Sequence, residues 1–135
     1  MVVLELGPWV YYLGKSHNFD ARKVGKWMYF FNDKDYVASV CKEAIEKNIV
    51  NQAKHTNDET GVACFYLNGD DIDGHKKVIQ FFLSKNLIRK TQSGKLYNIS
   101  FKFDNQTLDG QYGNDFKATI KLEDFVDLYT GEFKI

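Results

Sequence analysis

Proline, cysteine and net charge are what this chain has little of. Its 135 residues contain a single proline, two cysteines and eighteen basic residues balanced by eighteen acidic ones. With no Pro- or Ser-rich linker, repeat or low-complexity tract, residues 1–135 read as one domain. That is a length a single hydrophobic core commonly fills. Cys41 and Cys64 lack CxxC spacing and sit among apolar neighbours. This argues against a thiolate zinc site and fits two buried thiols in a reducing compartment. A neutral chain has no long-range field to draw in polyanions. Generic binding to duplex nucleic acid is therefore not expected, although a local basic patch stays open. No apolar run approaches the ~18 residues of a membrane-spanning helix. The opening MVVLELGPW has no basic segment and is interrupted by Glu5, unlike a secretory peptide. The expectation is a cytoplasmic protein with no membrane partner.

Catalytic signatures are missing as well. There is no GxSxG, no P-loop and no GxGxxG after a strand. The three histidines, His17, His55 and His75, show no HxxxH spacing and no carboxylate at a metal-ligand offset. Neither a metal nor a cofactor is expected.

What is present is aromatic and patterned. Eleven Phe and eight Tyr favour sheet, because flat rings pack well on pleated surfaces. In the segment LYNISFKFDNQTLDGQY, Tyr97, Ile99, Phe101 and Phe103 alternate with Asn98, Ser100, Lys102 and Asp104. That period gives a strand one oily face and one polar face, suited either to a ligand or to water. Further strands are expected at Trp9–Leu13, Gly25–Phe31, Val62–Leu67 and Phe116–Leu122, with Leu87–Thr91 forming a hairpin with Lys95–Asp104. Residues 49–56 fit either coil or a short strand.

Two helices are expected. One carries Tyr36, Val37, Val40, Cys41, Ala44 and Ile45 in an apolar stripe, capped by Asp33 or Asp35 and ending at Lys47-Asn48. The other carries Ile72, His75, Val78, Ile79, Phe82 and Leu83, capped by Asp70 or Asp71 and ending near Asn86. The order β-β-α-β-α-β-β-β predicts an α/β chain of the α+β type. It would have one largely antiparallel sheet with both helices on one face and the other face open for function.

Several residues compete for that function. Lys54-His55-Thr56 offers a cation, an imidazole and a hydroxyl that together can grip a phosphate; the same trio is also ordinary for a polar loop. His75 has the spacing of a core histidine. The row Asn98, Ser100, Lys102, Asp104, with Lys117, Thr119 and Lys121 on a neighbouring strand, is the stronger site candidate, since cross-strand neighbours lie ~5 Å apart. Lys102 and Asp104 also fit a plain surface pair. Trp9 and Trp27 occupy strands, where indoles pack under a sheet or stack on a base.

Gly25-Lys26-Trp27-Met28, Ala53-Lys54, the strand Val62–Leu67 and Lys102-x-Asp104-x-x-Thr107 ahead of Tyr112 together resemble the basophilic-leukemia-expressed protein family. The resemblance spans residues 25–112. It implies the fold of the mRNA cap-binding initiation factor, a curved antiparallel sheet with helices on its convex back and a concave ligand face. It nominates Lys26, Lys54, Lys102, Asp104, Thr107 and Tyr112 as lining that face. Cap-binding factors hold a methylated guanine between two tryptophans. Neither Trp9 nor Trp27 lies in a loop here, so cap recognition is not expected.

The expected function is a non-catalytic module holding a phosphate-bearing ligand, a nucleotide or single-stranded RNA. Lys26, Lys54 and Lys102 supply charge, Thr107 and Tyr112 hydrogen bonds, Trp27 a stacking ring, and His55 and Asp104 complete the site. Two alternatives stay open: a phosphoesterase or nuclease-like enzyme using His55, and a regulatory protein that binds another protein.

Overall fold

A computed structural model describes residues 1–15, 19–105 and 120–134. Seven strands form one antiparallel sheet: β1 (Val2–Leu6), β2 (Trp9–Leu13), β3 (Val24–Phe31), β4 (Gln52–Thr56), β5 (Gly61–Asn68), β6 (Ser100–Phe103) and β7 (Ile120–Lys121). Their spatial order is β1-β2-β4-β5-β3-β6-β7. Helix α1 (Lys34–Glu46) follows β3, and α2 (Ile72–Ser84) follows β5.

Both helices start where a side-chain carboxylate meets an orphan N–H. Asp33 accepts from the Tyr36 amide at 3.0 Å, and Asp71 accepts from the Gly74 amide at 3.0 Å. Just past each helix the chain turns through an asparagine at positive φ, Asn48 (57°) and Asn86 (56°). Asparagine is one of the few residues that tolerates that region.

Register fixes the two faces of the sheet. Phe65 of β5 lies opposite Trp27 of β3 and Ala53 of β4, and Ala53 lies opposite Tyr12 of β2. Directly opposed residues share a face, so these four point the same way. All four belong to the core cluster with Val37, Val40, Cys41, Ala44 and Ile45 of α1 and Val78, Ile79, Phe81 and Phe82 of α2. Cys64 and Tyr66, the alternate residues of β5, are buried yet stand outside that cluster. Both helices therefore pack on one side of the sheet, as the element order predicts.

Some expectations are corrected. Val2–Leu6 forms a strand outside those expected, and of the two readings open for residues 49–56 the short strand is the one formed, over Gln52–Thr56. The hairpin expected across Gln92-Ser93-Gly94 reduces to a single bridge between Lys90 and Leu96; only residues 100–103 make a strand, paired to β3 and β7. On α2, Phe81 is buried while Ile72 is half exposed, so the apolar arc is centred differently from the expected stripe. Of the expected strand Phe116–Leu122, residues 120–121 are strand, Leu122 opens a short 3-10 turn and the rest lies outside the described residues.

A glycine brings β6 against β3. A Cβ at Gly25 would fall on the Phe101 ring and the Lys102 carbonyl. Only hydrogen at this position lets β6 come close enough to set Lys102 opposite Lys26.

Candidate functional site

The side of the sheet away from the helices carries the cations. Tyr11 of β2, Lys54 of β4, Cys64 of β5 and Met28 of β3 oppose one another in register and form one row across it. Two residues along, Tyr66 opposes Lys26, and Lys26 opposes Lys102. Lys26, Lys54 and Lys102 thus share one face. Ser100, on the same face, lies opposite Lys121.

Lys54 has the most unusual surroundings. Its Nζ lies 3.8 Å from the centroid of the Trp9 ring, 5.5 Å from that of Tyr11 and 5.9 Å from that of Tyr66. A cation within ~6 Å of a ring centroid is attracted by the ring's negative face. Among the described residues no carboxylate lies within ion-pair distance of Lys54 and no acceptor hydrogen-bonds to Nζ. Partial burial pushes its pKa below the usual lysine value, and the neighbouring Lys26 ammonium pushes the same way. An anion arriving here would find a cation held by π-faces with its N–H donors unspent.

Lys26 is better satisfied. It donates to Asp104 at 2.8 Å, with its side chain 13% exposed, and its Nζ lies 5.9 Å from the Tyr66 centroid. Beneath the two lysines, Tyr66 and Cys64 are buried, and burial raises the pKa of both the phenol and the thiol. Among the described residues, Lys26, Lys54 and Lys102 outnumber Asp104 on this part of the face, although the whole chain is neutral.

Trp27 and His55 are corrections to the expected site. Successive side chains of a strand alternate between faces, so Lys26 and Lys54 on the open side send Trp27 and His55 to the helix side. Trp27 is fully buried, and its Nε1 donates to His75 Nδ1 at 3.0 Å. It packs against Phe101 and Phe125 and has no free ring face to offer a base. His55 is 1% exposed. Its Nδ1 lies 2.8 Å from the Thr56 carbonyl, which can only accept, so Nδ1 carries the proton. Nε2 then accepts from the Tyr12 hydroxyl at 3.0 Å. His75 is held likewise, Nε2 donating to the Gly69 carbonyl at 2.8 Å and Nδ1 accepting from Trp27. Burial lowers the pKa of both histidines. With both ring nitrogens engaged inside the core, His55 is not placed to exchange a proton with a ligand on the open face.

Thr107, Tyr112, His17, Lys117 and Thr119 lie outside the described residues. The sequence reading weighed Trp9 between packing under the sheet and stacking without placing it in the site, and passed over Tyr11 and Tyr66. The signal for Trp9 and Tyr11 is the alternation in Trp9-Val10-Tyr11-Tyr12, where Val10 and Tyr12 are the core partners of His55 and Ala53. Tyr66 gives no such signal, because β5 is apolar on both faces. Among the described residues no three His, Cys, Asp or Glu side chains converge to hold a metal ion, and no helix is long and apolar enough to cross a membrane. Comparison with known proteins finds no family model, no curated protein and no solved structure that matches this chain.

Proposed function

We propose that the sheet face opposite the helices binds a phosphate-bearing ligand, a nucleotide or a single RNA strand, without catalysis by the protein. The observation that carries this reading is Lys54, a part-buried ammonium ringed by Trp9, Tyr11 and Tyr66 with no counter-ion among the described residues. Lys26, two residues along in register, shares the Tyr66 ring with it, and Lys102 lies opposite Lys26. Trp9 takes the role first given to Trp27, offering an aromatic surface next to the cation. Contacts of that kind contribute ~1–3 kcal/mol per stacked base. Asp104 holds Lys26 in place. Thr107 and Tyr112 enter the proposal only through the resemblance. So does the finer reading of the architecture as that of the cap-binding initiation factor, supported here by the antiparallel sheet with both helices behind it.

Replacing Lys54 and Lys102 together by Ala is expected to abolish binding of nucleotides and short single-stranded oligonucleotides in anisotropy titrations. The melting temperature should stay close to that of the parent. Each lysine contacting a phosphate also contributes roughly one unit to the salt slope of binding, which should fall accordingly. Unchanged binding by the double variant would remove the proposal.

A further inference from the structure

Strand β1 closes one end of the sheet. All five of its residues are exposed: Val2 52%, Val3 50%, Leu4 40% and Leu6 57%, with Glu5 between them. Edge strands of monomeric proteins are commonly blunted by lysine, by proline or by a bulge, because unpaired N–H and C=O groups invite another strand. Within Val2–Leu6 there is no lysine, proline or bulge, β1 pairing with β2 along its whole length; the one charge on this edge is Glu5, on the helix-side row opposite Val10.

We infer that the outer edge of β1 joins two copies of this chain, paired antiparallel about a two-fold axis through Leu4. A two-fold contact must be self-complementary, the same patch serving both partners. The sequence of β1 meets that condition in one register. Centred on Leu4, Val2 faces Leu6 of the other copy, Leu4 faces Leu4, and Val3 faces Glu5, so all five residues are paired. A two-fold perpendicular to the sheet keeps each face with its own kind, which admits only registers shifted by whole two-residue steps. Centring on Val3 pairs only Val2, Val3 and Leu4 within the two copies of β1, and centring on Glu5 sets two carboxylates directly opposite each other, which is unfavourable. The Leu4 register makes the outward row on the open face wholly aliphatic: Val2, Leu4 and Leu6 beside Leu6, Leu4 and Val2. A chain with no net charge adds no long-range repulsion between copies.

The pairing would produce one continuous sheet with both helix pairs on the same side. It would also set the two Lys54 positions on one shared face, five strand spacings apart, or ~24 Å at about 4.8 Å per strand. The interface itself does not depend on what binds there.

Light scattering across a concentration series should show the mass rising from 15.7 kDa toward twice that value. Leu4→Lys opposes two ammonium groups on the axis and should weaken association at least tenfold, as should Leu4→Glu. An equimolar mixture of the two should restore the dimer. Leu4→Cys should cross-link to its own copy under oxidised glutathione, whereas Val2→Cys, offset from itself by four residues, should not. Cys41 and Cys64 are buried and leave that reading clean. A monomer at every concentration, a dimer indifferent to Leu4→Lys, or equal cross-linking at positions 2 and 4 would overturn the inference. Capture of an unrelated extended peptide by a chain that stays monomeric would overturn it too.

Discussion

The two faces of this sheet are made by the same strands, yet they treat polar groups in opposite ways. On the helix side, the Trp27 indole, the Tyr12 phenol and the His55 and His75 rings each find a partner at 2.8–3.0 Å inside an apolar core. On the other side, Lys54 rests on aromatic rings with no anion to meet it among the described residues. A buried polar group left without a partner is costly, so the satisfied face specifies the fold. The unsatisfied cation has solvent or a ligand as its outlet. Within one strand, a step of a single residue separates the two roles, as at Lys26-Trp27 and Lys54-His55.

The contrast breaks most visibly on the helix side. Trp27→Ala removes a fully buried indole and strips His75 Nδ1 of its donor. The loss should be about 3–5 kcal/mol in denaturant unfolding. A variant as stable as the parent would mean that the Trp27–His75 contact does not support the core.

Acid should come next in size. His55 and His75 are held neutral, with folded pKa values below the ordinary ~6.5. Below that value the unfolded chain binds more protons than the folded one, so stability falls as pH drops and is fully present above it. Denaturation midpoints measured from pH 7.5 down to pH 5 should decline. NMR should find neither imidazole titrating near pH 6.5 in the folded state. A flat profile would place the two rings in contact with water.

The open face should respond in affinity rather than in stability. Asp104→Asn removes the carboxylate that engages Lys26 and leaves that part of the face more positive. It should tighten binding of a phosphate-bearing ligand severalfold while changing stability by only about 0–1 kcal/mol. Weaker binding would mean that the Lys26–Asp104 pair positions the ligand.

The sequence made the architecture legible where local chemistry was strong. Asp33 and Asp71 as caps and the stripes through Val37–Ile45 and Val78–Phe82 fixed both helices, and Lys47-Asn48 and Asn86 marked where each stops. It failed where one strand hides its orientation. β5 is apolar on both faces, so nothing in Val62–Leu67 tells which of Cys64 and Phe65 meets the helices. Without that reference Lys54 and His55 looked like one cluster, and Trp27 looked available. The register to β2, in which Val10 faces His55 and Tyr11 faces Lys54, separates them, and no local pattern carries that pairing. β1 was passed over because Val-Val-Leu-Glu-Leu does not alternate, an edge strand exposed on both faces having no core to impose a period.

Cys41 and Cys64 give this division of the sheet a built-in readout. One thiol is carried by α1 into the core on the helix side, the other lies below the lysines, and burial raises the pKa of both, which keeps them in the unreactive protonated form. Alkylation at Cys41 would time the loosening of the helical layer, and alkylation at Cys64 that of the aromatic–lysine layer in front. A molecule lodged over Lys54 would slow the second clock and leave the first unchanged.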